Sequence, residues 1–184
     1  ESIEYLKKQT EIIINLFNSK NYDEVIRKSK ILIKNYSNQI IFYNSLSLAL
    51  IEKGKNEEAI KYLNQALKYD SNSIYVLNNL GLAYTNLNIL DKAKFYFEEA
   101  LQKKPDFFDA LINYGNLYLV MNQNDQASAM LERTIKIAKN NFQKESALLA
   151  LGTSYQQSGN FEKAEKIYKE LLKINPKNTK ADIA

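Results

Sequence analysis

Small residues return at a nearly fixed interval through most of this chain. Gly81 and Gly115 stand 34 residues apart, and Gly115 and Gly152 stand 37 apart. Each is followed three places later by a tyrosine (Tyr84, Tyr118, Tyr155) and twelve places later by an alanine (Ala93, Ala127, Ala164). Stepping back 34 from Gly81 reaches Ser47, with Leu50 and Ala59 in the matching places; another step reaches Ile13, Leu16 and Val25. A unit of this length cannot bury its apolar face alone, so self-similarity at this period calls for stacked neighbours. The spacing is therefore a packing code: Gly81, Tyr84, Ala93 and Phe97 are expected in a core rather than against a ligand.

Inside each unit the apolar residues recur at three and four, as in Leu77, Leu80, Tyr84, Leu87 and in Ala93, Phe97, Ala100, Leu101. That is the period of amphipathic helices. A glycine or alanine at the marked places lets two antiparallel helices approach closely, and the aromatic nearby fills the gap. The turn between the helices needs a residue tolerant of positive φ, and Gly54, Asn88, Asn122 and Gly159 hold equivalent places. Lys20 is the exception, expected to be strained or differently turned. Asp23, Asp91 and Asp125 lie near the start of second helices, where carboxylates suit the helix dipole. Pro105 and Pro176 follow second helices, where proline stops them.

Composition agrees. The 184 residues are 45% apolar, with only five glycines and two prolines, which disfavours an all-β fold rich in tight turns.

The signature Leu77-x2-Leu80-Gly81-x2-Tyr84, Ala93-x3-Phe97, Pro105 resembles the tetratricopeptide repeat family, with leucine where the family often has tryptophan. Leu148, Leu151-Gly152, Tyr155, Ala164, Tyr168 and Pro176 repeat the match. Five units are counted, at 6–39, 40–73, 74–107, 108–144 and 145–178, as a single array over 1–184. The resemblance implies an all-α, right-handed alpha-alpha superhelix of helix-turn-helix repeats with a concave groove. The fourth unit is three residues longer, and its end, KIAKNNFQKES, lacks the proline. An extended second helix or longer loop is expected there, with a local change of superhelix pitch. The first unit, with Ile13 and Val25 in small-residue places, is expected to pack less tightly.

In the family the first helix of each pair lines the groove. Carried over, the groove-facing positions are Lys7, Thr10, Ile14 and Phe17; Ile41, Asn44, Ser45 and Leu48; Tyr75, Asn78, Asn79, Leu82 and Asn86; Asp109, Ile112, Asn113 and Asn116; and Ser146, Leu149, Ala150 and Thr153. Apart from Lys7 and Asp109 they are uncharged, which argues against a clamp for a terminal carboxylate, since a desolvated carboxylate needs a cationic partner. Asn44, Asn78, Asn79, Asn113 and Asn116 form a patch of amides instead. It looks like a short version of the asparagine ladder of O-linked N-acetylglucosamine transferases, failing at Ala150. Amides both donate and accept, so a row of them suits an extended peptide backbone. Tyr75, Leu48 and Leu82 would add apolar contact.

Other chemistries are disfavoured. Without cysteine or histidine there are no disulfides, no thiolate chemistry, no zinc site of the usual kind and no imidazole base. Glu57–Glu58 and Glu98–Glu99 are sequence neighbours, which diverge on a helix and make no acid/base couple. There is no glycine-rich phosphate loop. No enzymatic activity, metal or cofactor is expected. The net charge of +4 is carried almost wholly by lysine, Arg27 and Arg133 being the only arginines, and lysines alternate with glutamates as on solvated helix faces. Nucleic acid is not the expected partner. Apolar runs such as Ile12–Ile14 are far too short for a membrane-spanning helix, and membrane insertion is not expected.

The expected function is a protein-protein interaction module holding a peptide or protein segment in a neutral, asparagine-lined groove. Two alternatives stay open: the substrate-docking arm of a larger glycosyltransferase or sulfotransferase, and a scaffold in bacterial envelope or secretion assembly. Localisation stays open between cytoplasm and, if a leader was trimmed, periplasm. Residues 179–184 read as the start of a truncated cap, so Ala164, Tyr168, Leu171 and Leu172 are expected to be partly exposed and to offer a surface for self-association.

Overall fold

A computed structural model describes residues 2–178. All regular structure among them is helical. The elements are α1 (Ser2–Asn18), α2 (Tyr22–Asn35), α3 (Ile40–Glu52), α4 (Asn56–Leu67), α5 (Ile74–Asn86), α6 (Leu90–Lys103), α7 (Phe108–Val120), α8 (Asn124–Ile137), α9 (Asn141–Gln157) and α10 (Phe161–Ile174). They fall into two compact units, which part between Lys103 and Lys104.

In the first unit each helix packs on the next in sequence, and the first helices of successive pairs also touch, α1 with α3 and α3 with α5. The second unit repeats the scheme, with α7 on α8, α8 on α9, α9 on α10, and α7 beside α9. First helices thus form one layer in each unit and second helices another. The core lies between them.

The seams show why the small residues recur. A methyl group placed on Gly81 would lie 2.6 Å from the Phe97 ring, and one on Gly115 would lie 2.7 Å from Leu131. On Gly152 it would collide with the Tyr168 ring. In each case the obstacle is the large side chain sixteen residues later, so the second helix fills the notch in the first. Phe97 and Leu131 are fully buried as a result. The same offset pairs Ser47 with Leu63, both fully buried, in the second helix pair.

All five intra-pair turns are alike. Lys20, Gly54, Asn88, Asn122 and Gly159 have φ of +59°, +72°, +58°, +57° and +74°. In each, that residue's N–H and the next one close back on the preceding helix, as in Lys20 N to Phe17 O and Asn21 N to Leu16 O, or Gly54 N to Ile51 O and Lys55 N to Leu50 O. This pair of bonds is the Schellman arrangement, which satisfies carbonyls that a helix end leaves open. Lys20 is therefore turned as the others are, and carries the left-handed backbone on a lysine.

The structure corrects two expectations. The insertion extends neither α8 nor the loop after it: α8 has 14 residues, as α6 and α10 do. It lengthens the next helix instead, giving α9 17 residues against 13 for α7. Asn140 caps the new start by accepting from Gln143 N at 2.9 Å, while Gln143 accepts from Lys139 N at 2.8 Å. These reciprocal bonds satisfy donors at the helix entry, much as a capping box does. The added turn is also anchored: Glu145 accepts from Asn175 at 2.8 Å and Asn178 at 2.9 Å, just beyond α10.

Secondly, Ala164, Tyr168 and Leu171 are buried, and of the four residues only Leu172 is partly exposed as expected. Their cluster includes Leu148 of α9, so the seam within the last pair covers them without a further helix. The truncated cap at 179–184 lies outside the described residues.

The first pair is the most loosely joined of the five, as its large seam residues lead one to expect, although Ile13 and Val25 are themselves fully buried.

Candidate interaction surface

In the first unit, positions one repeat apart on α1, α3 and α5 give three sets: Ile14, Leu48 and Leu82; Thr10, Asn44 and Asn78; and, toward the helix N-termini, Lys7, Ile41 and Tyr75. Ile14, Ile41 and Tyr75 are exposed, the last at 53%. Leu48, Leu82, Thr10 and Asn44 are half-buried. The apolar rows flank the amide row, and α3 and α5 bring no charge into the three rows.

The hydroxyls near these rows bond to the backbone of their own helices. Thr10 and Ser45 each donate to the carbonyl four residues earlier, Leu6 and Ile41, at 2.9 Å. Such back-bonding uses the hydroxyl proton on the helix's own backbone.

The amides are not equivalent. Asn78 is 6% exposed and Asn79 is 4% exposed, so neither presents much surface. Asn78 Nδ2 donates to Asn79 Oδ1 at 3.2 Å, and Asn79 Nδ2 donates to Asn44 Oδ1 at 2.6 Å. Asn86 is exposed, and its Nδ2 donates to Asn56 Oδ1 at 3.1 Å. Asn56 in turn donates to Gly54 O at 3.3 Å, so Asn86 also braces the turn of the second pair.

At the α1 end lies an open recess of about 480 Å³ lined by Ile3, Leu6, Lys7, Thr10, Glu11 and Gln39. Lys7 and Thr10 are expected on this face from the repeat pattern. Ile3 and Leu6 are not, although Ile3, Leu6 and Thr10 share one helical stripe and Thr10 is one repeat before Asn44.

In the second unit Asn113 is half-buried and Asn116 exposed on α7, while Ile112 is half-buried and packs on the cluster of Ala127, Leu131, Ala150 and Leu151. Asp109 opens this helix; neighbouring groups strip water from its carboxyl and push its pKa up, against an opposing pull from Lys104. On α9, Thr153 back-bonds to Leu149 at 2.9 Å and Ser146 to Phe142 at 3.0 Å. Ala150 is buried at 9% exposure, so no amide continues the row there.

Tyr155 donates to Glu132 at 2.5 Å; desolvation first and this bond second push its pKa up to about 12, well outside the range of a neutral-pH acid. No group of three or more aspartates and glutamates that could hold a metal ion occurs among the described residues. No helix among them is long and apolar enough to cross a membrane.

Paired antiparallel helices, a left-handed turn within each pair and a glycine at three of the five seams define a helical repeat protein. Models of the tetratricopeptide repeat match residues 88–151 and 146–178, and a TPR repeat model matches 48–88. The chain belongs to the tetratricopeptide repeat family. A search among curated proteins returns no match. Among solved structures it resembles TTC0263, a thermophilic TPR protein of Thermus thermophilus, at a TM-score of 0.84 and 16% identity over 95% of this chain and 94% of that one. It also resembles MamA, at 0.67 and 25% identity over 97% and 98%. A third likeness is to YrrB, a TPR protein with an unusual peptide-binding site, at 0.66 and 17% identity over 98% and 93%. As a tetratricopeptide repeat protein, the chain is a protein-interaction module.

Proposed function

We propose that this module binds an extended, uncharged peptide segment on the outward faces of its first helices. The observation that carries this reading is the row pattern of the first unit, amides flanked by Ile41 and Tyr75 on one side and by Ile14, Leu48 and Leu82 on the other. Exposed apolar side chains beside hydrogen-bonding groups suit a ligand that has both a polar backbone and apolar side chains. The lack of charge on α3 and α5 in these rows favours a neutral segment, because a buried carboxylate or ammonium would stay unpaired. The peptide-binding site of YrrB supports the reading by likeness of fold only. Asn44, Leu48, Tyr75, Leu82 and Asn86 would serve the first unit, and Asn113 and Asn116 the second, with Asn78 and Asn79 behind the surface.

Affinity would be modest, since ordering a flexible segment takes roughly 2–5 kcal/mol of the gross interaction. The test is binding to an array of capped, uncharged nine-residue peptides, repeated with Leu48→Glu. Wild type is expected to retain a subset that Leu48→Glu releases. Equal retention by both proteins would refute this face as the site.

A further inference from the structure

The turn that lengthens α9 presents an aromatic ring to water. Phe142, its second residue, is 78% exposed, the most of any large apolar side chain among the described residues. Apolar residues scattered singly over a surface are ordinary. This one differs in what holds it. Asn140 and Gln143 cap the turn on either side of the ring, and Glu145 ties it to Asn175 and Asn178 beyond α10. A ring on a braced turn gives up little freedom on binding, so more of its burial is realised as affinity.

The same end of the pair gathers positive charge. Lys144 pairs with Glu170 of α10 at 2.8 Å, which together with the Glu145 bonds sets the start of α9 against the end of α10. Lys139 lies in the link before α9, Lys173 in the last turn of α10 and Lys177 just past it. All three are exposed and in no ion pair among the described residues, while Glu145 and Glu170 are already engaged. We propose that Phe142, with Lys139, Lys173 and Lys177, docks an acidic segment of a partner protein: the ring packs against apolar side chains of that segment, and the lysines meet its carboxylates. An aromatic anchor inside a charged rim is the usual make-up of a protein interface. A lipid surface also offers negative charge and apolar depth. Yet even one myristoyl chain, far larger than a benzyl group, anchors only marginally to a bilayer, so a lone ring favours a protein. This surface takes a charged ligand on the added turn, and is distinct from the binding of uncharged segments proposed above.

The experiment screens the full chain against capped acidic peptides, each carrying leucine or phenylalanine among aspartates and glutamates, beside the same peptides with every acid replaced by its amide. Wild type is expected to retain acidic peptides that Phe142→Ser releases. Any amide counterpart it retains should be indifferent to that substitution. Calorimetry on a retained acidic peptide then compares variants. Phe142→Ser is expected to weaken binding about thirtyfold, the scale of a lost aromatic anchor. Lys139→Glu should weaken it about threefold at low salt. That smaller effect should fade at about 0.5 M salt, where exposed charges are screened. Phe161 supplies the control: it is 68% exposed, but it opens α10 beside Glu162 at the opposite end of the pair. Phe161→Ser should leave binding unchanged. All three side chains are exposed, so the urea midpoint is expected to hold in each variant.

Retention of no acidic peptide, or retention untouched by Phe142→Ser, would overturn the assignment. So would an equal loss from Phe161→Ser, which would mean that any exposed ring serves. Sedimentation with phosphatidylcholine vesicles containing roughly 30% phosphatidylserine checks the other partner. Vesicle binding that Phe142→Ser abolishes, with no acidic peptide retained, would give the ring to a lipid surface and defeat the protein partner.

Discussion

The first and third helix pairs solve one packing problem in opposite ways. In the third, the first helix supplies the small residue, Gly81, and the second supplies Phe97, which occupies the space a methyl group would need. In the first, the positions at the same sixteen-residue offset are Ile13 and Ser29, at 1% and 0% exposure. Large and small have changed helices. What the fold requires at this seam is a complementary pair of volumes, and not a glycine at a fixed place. Close-packed interiors tolerate exchange of this kind when total volume is kept.

The comparison can be broken most forcefully at Gly81. Gly81→Ile puts a branched side chain where the Phe97 ring stands, and is expected to cost about 3 kcal/mol or more, the upper range for overpacking. Combining it with Phe97→Ser recreates the Ile13–Ser29 arrangement in the third pair. The double variant is expected to be more stable than the sum of its parts by at least about 1 kcal/mol, a coupling typical of residues in contact. Urea unfolding of the four proteins checks this. Simple additivity would mean that the two seams are not equivalent.

Ser29 sharpens the comparison further. Its hydroxyl is buried without a hydrogen-bond partner, whereas the Ser47 hydroxyl, on the first helix of the second pair, donates to Ala59 O at 3.4 Å. A buried polar group left unpaired costs about 1–3 kcal/mol. Ser29→Ala removes that group at little loss of volume and is expected to raise stability by about 1 kcal/mol. Ser47→Ala, which removes a long bond as well, should change stability less or lower it.

Much of this is legible in the chain. The helices follow from three- and four-residue spacing, and four of the five turns from glycine and asparagine, because only those residues adopt positive φ at low cost. The exchanged seam is written there too, at an offset of sixteen, but Ile13 reveals it only when set beside Ser29. Asn140 and Gln143 are a start signal for the helix that absorbs the insertion, whereas the missing proline speaks only of where α8 ends. The amides show where sequence runs out. Asn44, Asn78 and Asn79 are the same residue type on the same kind of helix. Their burial depends on which neighbouring helices flank them, and their polarity on bonds between side chains 35 residues apart.

The smallest expected effect lies in the turns of the same two pairs. Asn88 and Lys20 share nearly the same φ, +58° and +59°, and the same closing hydrogen bonds. Asparagine visits the left-handed region readily, whereas a longer L-residue crowds its Cβ against the carbonyl at a cost of roughly 1–2 kcal/mol. Glycine would relieve that strain, but it also frees the unfolded chain by about 0.4–1 kcal/mol. The two terms leave Lys20→Gly stabilising by about 0.5–1 kcal/mol, and Asn88→Gly close to neutral. Denaturant midpoints for the two variants, at unchanged m-value, measure this difference directly. Equal shifts at both sites would place the strain of the first pair somewhere other than its turn, and the shared hydrogen bonds would then be concealing a difference in the helices that meet there.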